Sequence, residues 1–269
     1  MYTTLHIGCP GPGEWNIPAC ERDVVLDAAE YQRAGHVPII VTEDIIDLAR
    51  VFEAMKAVKA HAAAHGKRIA ALLSGHAGMS VRIAGNRREW FFFLGVPTKD
   101  KVLWWSLICA WMIDCADSGI KGLLRIDACH AGAAHHRGPR MAAQTLYGKG
   151  VNLFDDQADD DYTPALDDRI PKGWAVMGAC KGRKPAYANL PSIYDKPAGN
   201  SILSTDGRSL WTFCMTSHMK RGVKDPEKLH REVNRSMENI ILGCAPNVYN
   251  QRDVQVGTIR DRGWAAAAI

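Results

Sequence analysis

Short apolar runs alternate along this chain with stretches whose apolar residues recur at helical spacing. Thr3 to Gly8, Val37 to Val41, Ile69 to Leu73, Leu123 to Ile126 and Trp174 to Ala179 form the first class. They are too short for helices and mostly apolar throughout, as strands buried on both faces are. Between the first two lies a helix opening at Pro18, running through Val24, Val25, Ala28 and Tyr31, and stopping at Gly35. Between the next two, Ile45, Leu48, Ala49, Phe52, Met55 and Val58 line one helical face, with Thr42 or Asp44 as the cap and Gly66 at the end. This β-α-β-α-β order predicts a parallel sheet with right-handed crossovers.

Beyond the third strand, Val81 to Leu94 reads as a hairpin turning at Gly85-Asn86. Thr98 caps a predicted helix from Lys99 to Asp117, whose Trp104, Trp105, Leu107, Ile108, Trp111 and Met112 mark it as largely buried. Further helices are expected over Arg208 to Lys220 and Asp225 to Leu242, and a last strand over Val254 to Ile259. Residues 133–172 are expected to form one long loop, basic at His135, His136, Arg137 and Arg140 and acidic at Asp155, Asp156, Asp159, Asp160 and Asp161. A loop of that length inside a compact domain is usually functional or mobile. With no repeat and no low-complexity linker, the pattern predicts one domain over residues 1–269. Its class is α/β, three-layered, with about six mostly parallel strands and helices on both faces.

Composition narrows the function classes. A net charge of +4 over 269 residues is too small and too dispersed for a nucleic-acid partner. The longest apolar stretch, Val102 to Ile113, falls short of the roughly 20 residues of a membrane span, so no membrane is expected. No basic segment followed by an apolar one opens the chain, which points to a cytoplasmic protein. Its 8 cysteines have no regular spacing and no Cys-x-x-Cys pair, so most are expected to be reduced and to pack as small apolar groups.

The candidate chemistry sits at two strand ends, Ser74-Gly75-His76-Ala77-Gly78 and Asp127-Ala128-Cys129-His130-Ala131-Gly132. Open α/β sheets bind ligands outside the carboxyl ends of their strands. If these two strands are neighbours, an imidazole and a thiol emerge side by side, the minimum apparatus for nucleophilic catalysis. In order and context the two segments resemble the caspase-fold cysteine peptidases, most closely the metacaspase and orthocaspase branch. Cys129 follows His76 at about the 50-residue interval of caspases.

The resemblance implies a cysteine endopeptidase with a His76/Cys129 dyad and an oxyanion hole made by the backbone N–H groups of Cys129, Ala77 and Gly78. The caspase signature has Gln two residues before the nucleophile, where this chain has Asp127. Metacaspases line the same pocket with a Cys and an Asp three residues on, matched by Cys20 and Asp23, and with a serine two before the His, matched by Ser74. Together these imply a substrate with Arg or Lys before the cut, because a buried carboxylate asks for a cationic partner. Self-processing in the long loop follows as a related expectation. Many metacaspases hold calcium with aspartates after the His strand and after the nucleophile. Here Arg82, Arg87, Arg88, His135, His136 and Arg137 stand there instead, so no metal or other cofactor is expected. The histidines beside Cys129 lack the paired spacing of a structural zinc site. The competing reading is a catalytically inactive caspase-like module that binds a peptide or a partner. A thiol redox protein would need a resolving cysteine at Cys-x-x-Cys spacing.

Overall fold

The computed structural model describes residues 1–82, 87–96, 101–128, 170–180, 207–223, 225–244 and 257–264. In chain order its strands are β1 (Thr3–Cys9), β2 (Val37–Thr42), β3 (Arg68–Gly75), β4 (Ala77–Arg82), β5 (Arg87–Phe93), β6 (Val102–Trp104), β7 (Lys121–Asp127), β8 (Trp174–Gly178) and β9 (Thr258–Asp261). Its helices are α1 (Pro18–Arg33), α2 (Leu48–Ala64), α3 (Trp105–Asp117), α4 (Leu210–Lys220) and α5 (Pro226–Cys244). The main sheet has the order β2-β1-β3-β7-β8-β9, parallel throughout except for β9. The chain thus builds the expected α/β architecture of mostly parallel strands flanked by helices.

Side chains alternate across a strand, so register decides which residues share a face. His6, Leu72 and Arg125 form one row across β1, β3 and β7. Gly8, Ser74 and Asp127 form the next row of the same face, nearer the carboxyl edge. On that face lie α1 and α4, whose polar side chains bond to it. The alternate residues Leu5, Ile7, Ala71, Leu73, Leu124 and Ile126 are buried on the other face, with α2 and α3. Trp111 Nε1 donates to the Met55 carbonyl at 3.2 Å and ties those two helices together. A Cβ at Gly8 would lie 2.6 Å from Val24 Cγ2 and 2.8 Å from the Cys20 carbonyl oxygen. Glycine at that point lets α1 approach β1 closely enough to bring Cys20 and Asp23 down onto the sheet.

Several element boundaries differ from the sequence expectation. The cap of α2 is Asp47, whose Oδ1 accepts the Ala49 N–H at 3.0 Å, while Thr42 still belongs to β2. The run Lys99 to Asp117 divides: Val102–Trp104 pairs with β5 as a strand, and the helix starts at Trp105. The expected cap Thr98 and the expected turn Gly85-Asn86 lie outside the described residues. The hairpin of β4 and β5 begins at Ala77, directly after His76, and with β6 makes a small antiparallel sheet. The last strand runs to Asp261, and Val254 lies outside the described residues, as do residues 133–169 of the expected loop 133–172.

Candidate active site

His76 is the single residue between β3 and β4. A Cβ at the preceding Gly75 would stand 2.7 Å from Phe92 Cζ and 3.0 Å from the Cys9 carbonyl oxygen, so only glycine lets the small sheet cross the end of β3 here. The imidazole is 5% exposed, and its Nε2 lies 2.7 Å from the backbone carbonyl oxygen of Trp15. A carbonyl only accepts, so Nε2 carries the hydrogen and Nδ1 is the basic nitrogen of the neutral ring. The Trp15 ring meets the imidazole edge to face, with centroids 6.1 Å apart. Gly11, at φ +86°, makes room for that carbonyl: a Cβ there would lie 2.9 Å from the Trp15 oxygen. The loop is closed by Asn16 Nδ2 donating to the Gly11 carbonyl at 3.0 Å and Ile17 N–H to the Pro10 carbonyl at 2.9 Å. A peptide carbonyl therefore orients the histidine, the task a carboxylate performs in Ser-His-Asp systems. Sequence reading missed Trp15, because a backbone oxygen has no residue signature.

Cys129 lies outside the described residues, and β7 is described as far as Asp127, with Ala128 fully buried after it. Cys180, just past β8, donates its thiol to the Ala128 carbonyl at 3.4 Å. On the His76 side, the Phe93 N–H donates to the His76 carbonyl at 3.0 Å, which makes that pair a hydrogen-bonded one. Antiparallel ladders alternate, so Ala77–Phe92 is a non-bonded pair and Gly78–Phe91 a bonded one. Of the two expected oxyanion donors in β4, Ala77 has its N–H turned away from β5, whereas the alternation directs that of Gly78 into the ladder.

The expected pocket residues are brought together over the second row of the sheet. Asp23 is fully buried, and its Oδ2 accepts the Ser74 hydroxyl at 2.5 Å. The N-terminus of α4 adds Ser209, whose N–H donates to Asp23 Oδ1 at 2.7 Å and whose hydroxyl donates to Oδ2 at 2.6 Å. Asp127, also fully buried, accepts at Oδ2 from the Thr212 hydroxyl at 2.6 Å and the Thr212 N–H at 3.2 Å. Cys20 is buried on the same helix as Asp23. Ser209 and Thr212 went unrecognised in the sequence; their one signal is a pair of hydroxyls three residues apart at a helix start.

One row deeper, Asp27 takes both arms of the Arg125 guanidinium, at 2.9 Å (Nη1 to Oδ1) and 2.6 Å (Nη2 to Oδ2). Thr216 Oγ1 donates to Asp27 Oδ1 at 3.0 Å, and the Tyr31 ring lies 5.2 Å from the guanidinium carbon. His6 Nδ1 lies 3.3 Å from Asp27 Oδ2 without the alignment of a hydrogen bond, and its Nε2 pairs with Thr4 Oγ1 at 2.8 Å. Burial works to raise the Asp27 carboxyl, but the charge and hydrogen bonds of Arg125 together with the neighbouring His6 outweigh it and hold Asp27 well below the usual carboxylate range. Burial lowers His6 more than Asp27 raises it, so this imidazole is held neutral. Burial also pushes the thiols of Cys9, Cys115 and Cys214 up to about 12, which leaves them unreactive near neutral pH.

Among the described residues no group of three or more His, Cys, Asp or Glu side chains could hold a metal ion. The acidic run Asp155 to Asp161 lies outside them. Likewise, no helix among the described residues is long and apolar enough to cross a membrane.

No protein-family model matches the chain, and no curated protein matches it. Solved structures do. A structure of pro-sf-caspase-1 matches at 13% identity with a TM-score of 0.57, covering 98% of this chain and 88% of that one. Caspase-1 from Spodoptera frugiperda matches at 9% identity and a TM-score of 0.56, over 98% and 90% of the two chains. The Drosophila initiator caspase Dronc matches at 10% identity and a TM-score of 0.54, over 98% and 80%. The fold is therefore caspase-like.

Proposed function

We propose that this protein is a metacaspase-like cysteine endopeptidase, a single catalytic domain of the cytoplasm that cleaves protein or peptide substrates after Arg or Lys. One observation carries the reading. The parallel register sets Ser74 against Asp127, and two residues further along each chain stand His76 and Cys129. β3 and β7 thus end side by side at one sheet edge, above the carboxylates of Asp23 and Asp127, and in this reading the imidazole of His76 meets the thiol of Cys129 there. The caspase-like fold supports the same chemistry.

In this mechanism the Cys129 thiolate attacks the scissile carbonyl carbon. A thiol near pKa 8.5 is a few per cent ionised at neutral pH, and a neighbouring imidazole raises that share. The developing oxyanion takes the outward N–H of Ala77 together with that of Cys129. His76 then protonates the leaving amine, its ring held by the Trp15 carbonyl at 2.7 Å. Water hydrolyses the thioester, with His76 now acting as base, and the thiol is restored. Specificity comes from Asp23 and Asp127, with Ser74 and Cys20 as walls. A guanidinium meets carboxylates through paired N–H bonds in a way an ammonium cannot, so Arg is preferred to Lys.

Fluorogenic peptides with Arg, Lys, Asp or Ala before the scissile bond test the reading. The wild type turns over the Arg and Lys peptides, and Cys129→Ala and His76→Ala lose at least about a thousandfold in kcat. A protein that binds these peptides and cleaves none is the inactive module instead. Calcium is dispensable in this reading: an excess of chelator leaves the rate on the Arg peptide unchanged. Strict dependence on added calcium would show a metal site that the residues after His76 and Cys129 do not suggest.

A further inference from the structure

The row beneath the acidic pair holds a feature the proposed mechanism does not use. Arg125 is fully buried in β7, two residues before Asp127 and on the same face. Residues so spaced stand about 6.5 Å apart along a strand. Asp27 lies one helical turn along α1 from Asp23, and Thr216 lies one turn along α4 from Thr212. The two rows are therefore built alike, from the same helices and the same strand. They differ in charge: the upper has carboxylates on both α1 and β7, the lower a carboxylate on α1 facing a guanidinium on β7.

Packing alone does not account for this pair. A buried ion pair is often replaced by apolar residues of similar volume at no loss of stability. The pair is also only partly satisfied, since Arg125 Nε has no hydrogen-bond partner among the described residues. What the geometry does control is where the guanidinium points. Both of its arms are turned to Asp27 and so are withheld from Asp127. Were Asp27 neutral, the nearest acidic group on the same strand would be Asp127, and an internal arginine would compete with the substrate's cation for it.

We propose that Asp27 and Arg125 are positioning residues for specificity: an internally neutralised floor that keeps Asp127 and Asp23 for a cationic substrate side chain. Neither touches the substrate. The inference rests on the pocket assignment made above. It has a signature that a purely structural ion pair lacks, because removing either partner has opposite effects on cation binding. Losing the carboxylate releases a positive charge beneath the pocket. Losing the guanidinium leaves the floor acidic or neutral.

The test is the KM and kcat of wild type, Asp27→Asn and Arg125→Met on an Arg peptide. Rates are counted per active site by mass-spectrometric titration of alkylated Cys129, so that misfolded protein is excluded. Asp27→Asn is expected to raise KM about tenfold or more with kcat within about threefold, a change confined to substrate binding. Arg125→Met is expected to leave KM at or below the wild-type value. Equal increases in both variants, or an unchanged KM in Asp27→Asn, would overturn the proposal and leave the pocket assignment standing. If Asp27→Asn yields no folded protein, Arg125→Met decides: a KM raised about tenfold overturns the floor, and a KM at or below wild type supports it. A wild type that cleaves no Arg or Lys peptide removes the pocket assignment, and this inference with it.

Discussion

At the scale of single residues, His6 shows how burial sets the acid limit of this protein. Its folded-state affinity for a proton lies below that of the unfolded chain, because burial opposes the charge. Between the unfolded value near 6.5 and the lower folded one, the unfolded state therefore binds more protons. Stability is fully present above that window and falls on acidification, by about 1.4 kcal/mol per pH unit for one such group. Asp27 acts in a separate window, since its depressed carboxyl is lost only below about pH 4. His218, also lowered, adds to the slope of His6. The expected outcome is a wild-type melting temperature that declines from pH 7 to pH 5 and a shallower decline in His6→Gln, which can still bond Thr4. Parallel curves for the two proteins would show that His6 is not the group being titrated. These single-residue effects were only partly legible in the sequence. Ser74 and Asp23 stood out because their spacing matched a known pattern, and they are hydrogen-bonded at 2.5 Å. Arg125 passed as one polar residue in an apolar strand, since nothing in the linear chain tells that Asp27 will face it.

At the scale of elements, apolar pattern fixed which strands and helices exist better than where they begin. Lys99 to Asp117 reads as one helix because its apolar residues are dense, and a short dense run cannot be told from a strand by period alone. What decides is tertiary: Leu103 and Trp104 find partners in Phe92 and Phe91 of β5. The start of α2 was misplaced for a different reason, since Thr42, Asp44 and Asp47 are all competent caps and only the path of β2 chooses among them. Glycine, by contrast, was informative. Gly75 marks the place where the small sheet crosses β3, and this gives it a prediction of its own. Gly75→Ala forces Phe92 or the backbone at Cys9 to yield, and the residue displaced next is His76. Overpacking of this kind costs about 1–3 kcal/mol. The expected variant is folded, melts several degrees lower and loses kcat well beyond its loss of stability. Circular dichroism melts beside peptide kinetics check this, and wild-type kcat in the folded variant would show that His76 tolerates the shift.

At the scale of the whole molecule, the arrangement of β7 and β8 bears on self-processing. The two strands are parallel neighbours, with Gly122 abreast of Trp174 and Ile126 abreast of Gly178. The chain thus leaves β7 at the carboxyl edge, beside the candidate nucleophile, and must return to the opposite edge before β8 begins. That return contains Arg137, Arg140, Lys149, Arg169 and Lys172, residue types the proposed pocket accepts, and Lys172 is exposed. A cut among them leaves both strands in the sheet. The β7–β8 ladder and the hydrogen bonds of α4 to Asp23, Asp27 and Asp127 join the two sides of the break. The expected outcome is that the wild type, incubated alone, yields two fragments by denaturing mass spectrometry with ends at one or more of these basic residues. The same sample should elute from a sizing column as the uncut chain does, because no side of the sheet is freed. Cys129→Ala should stay whole under identical conditions. Identical fragments in both proteins would assign the cut to a contaminating protease. A wild type that remains intact while hydrolysing Arg peptides would mean that the return segment does not reach its own catalytic edge.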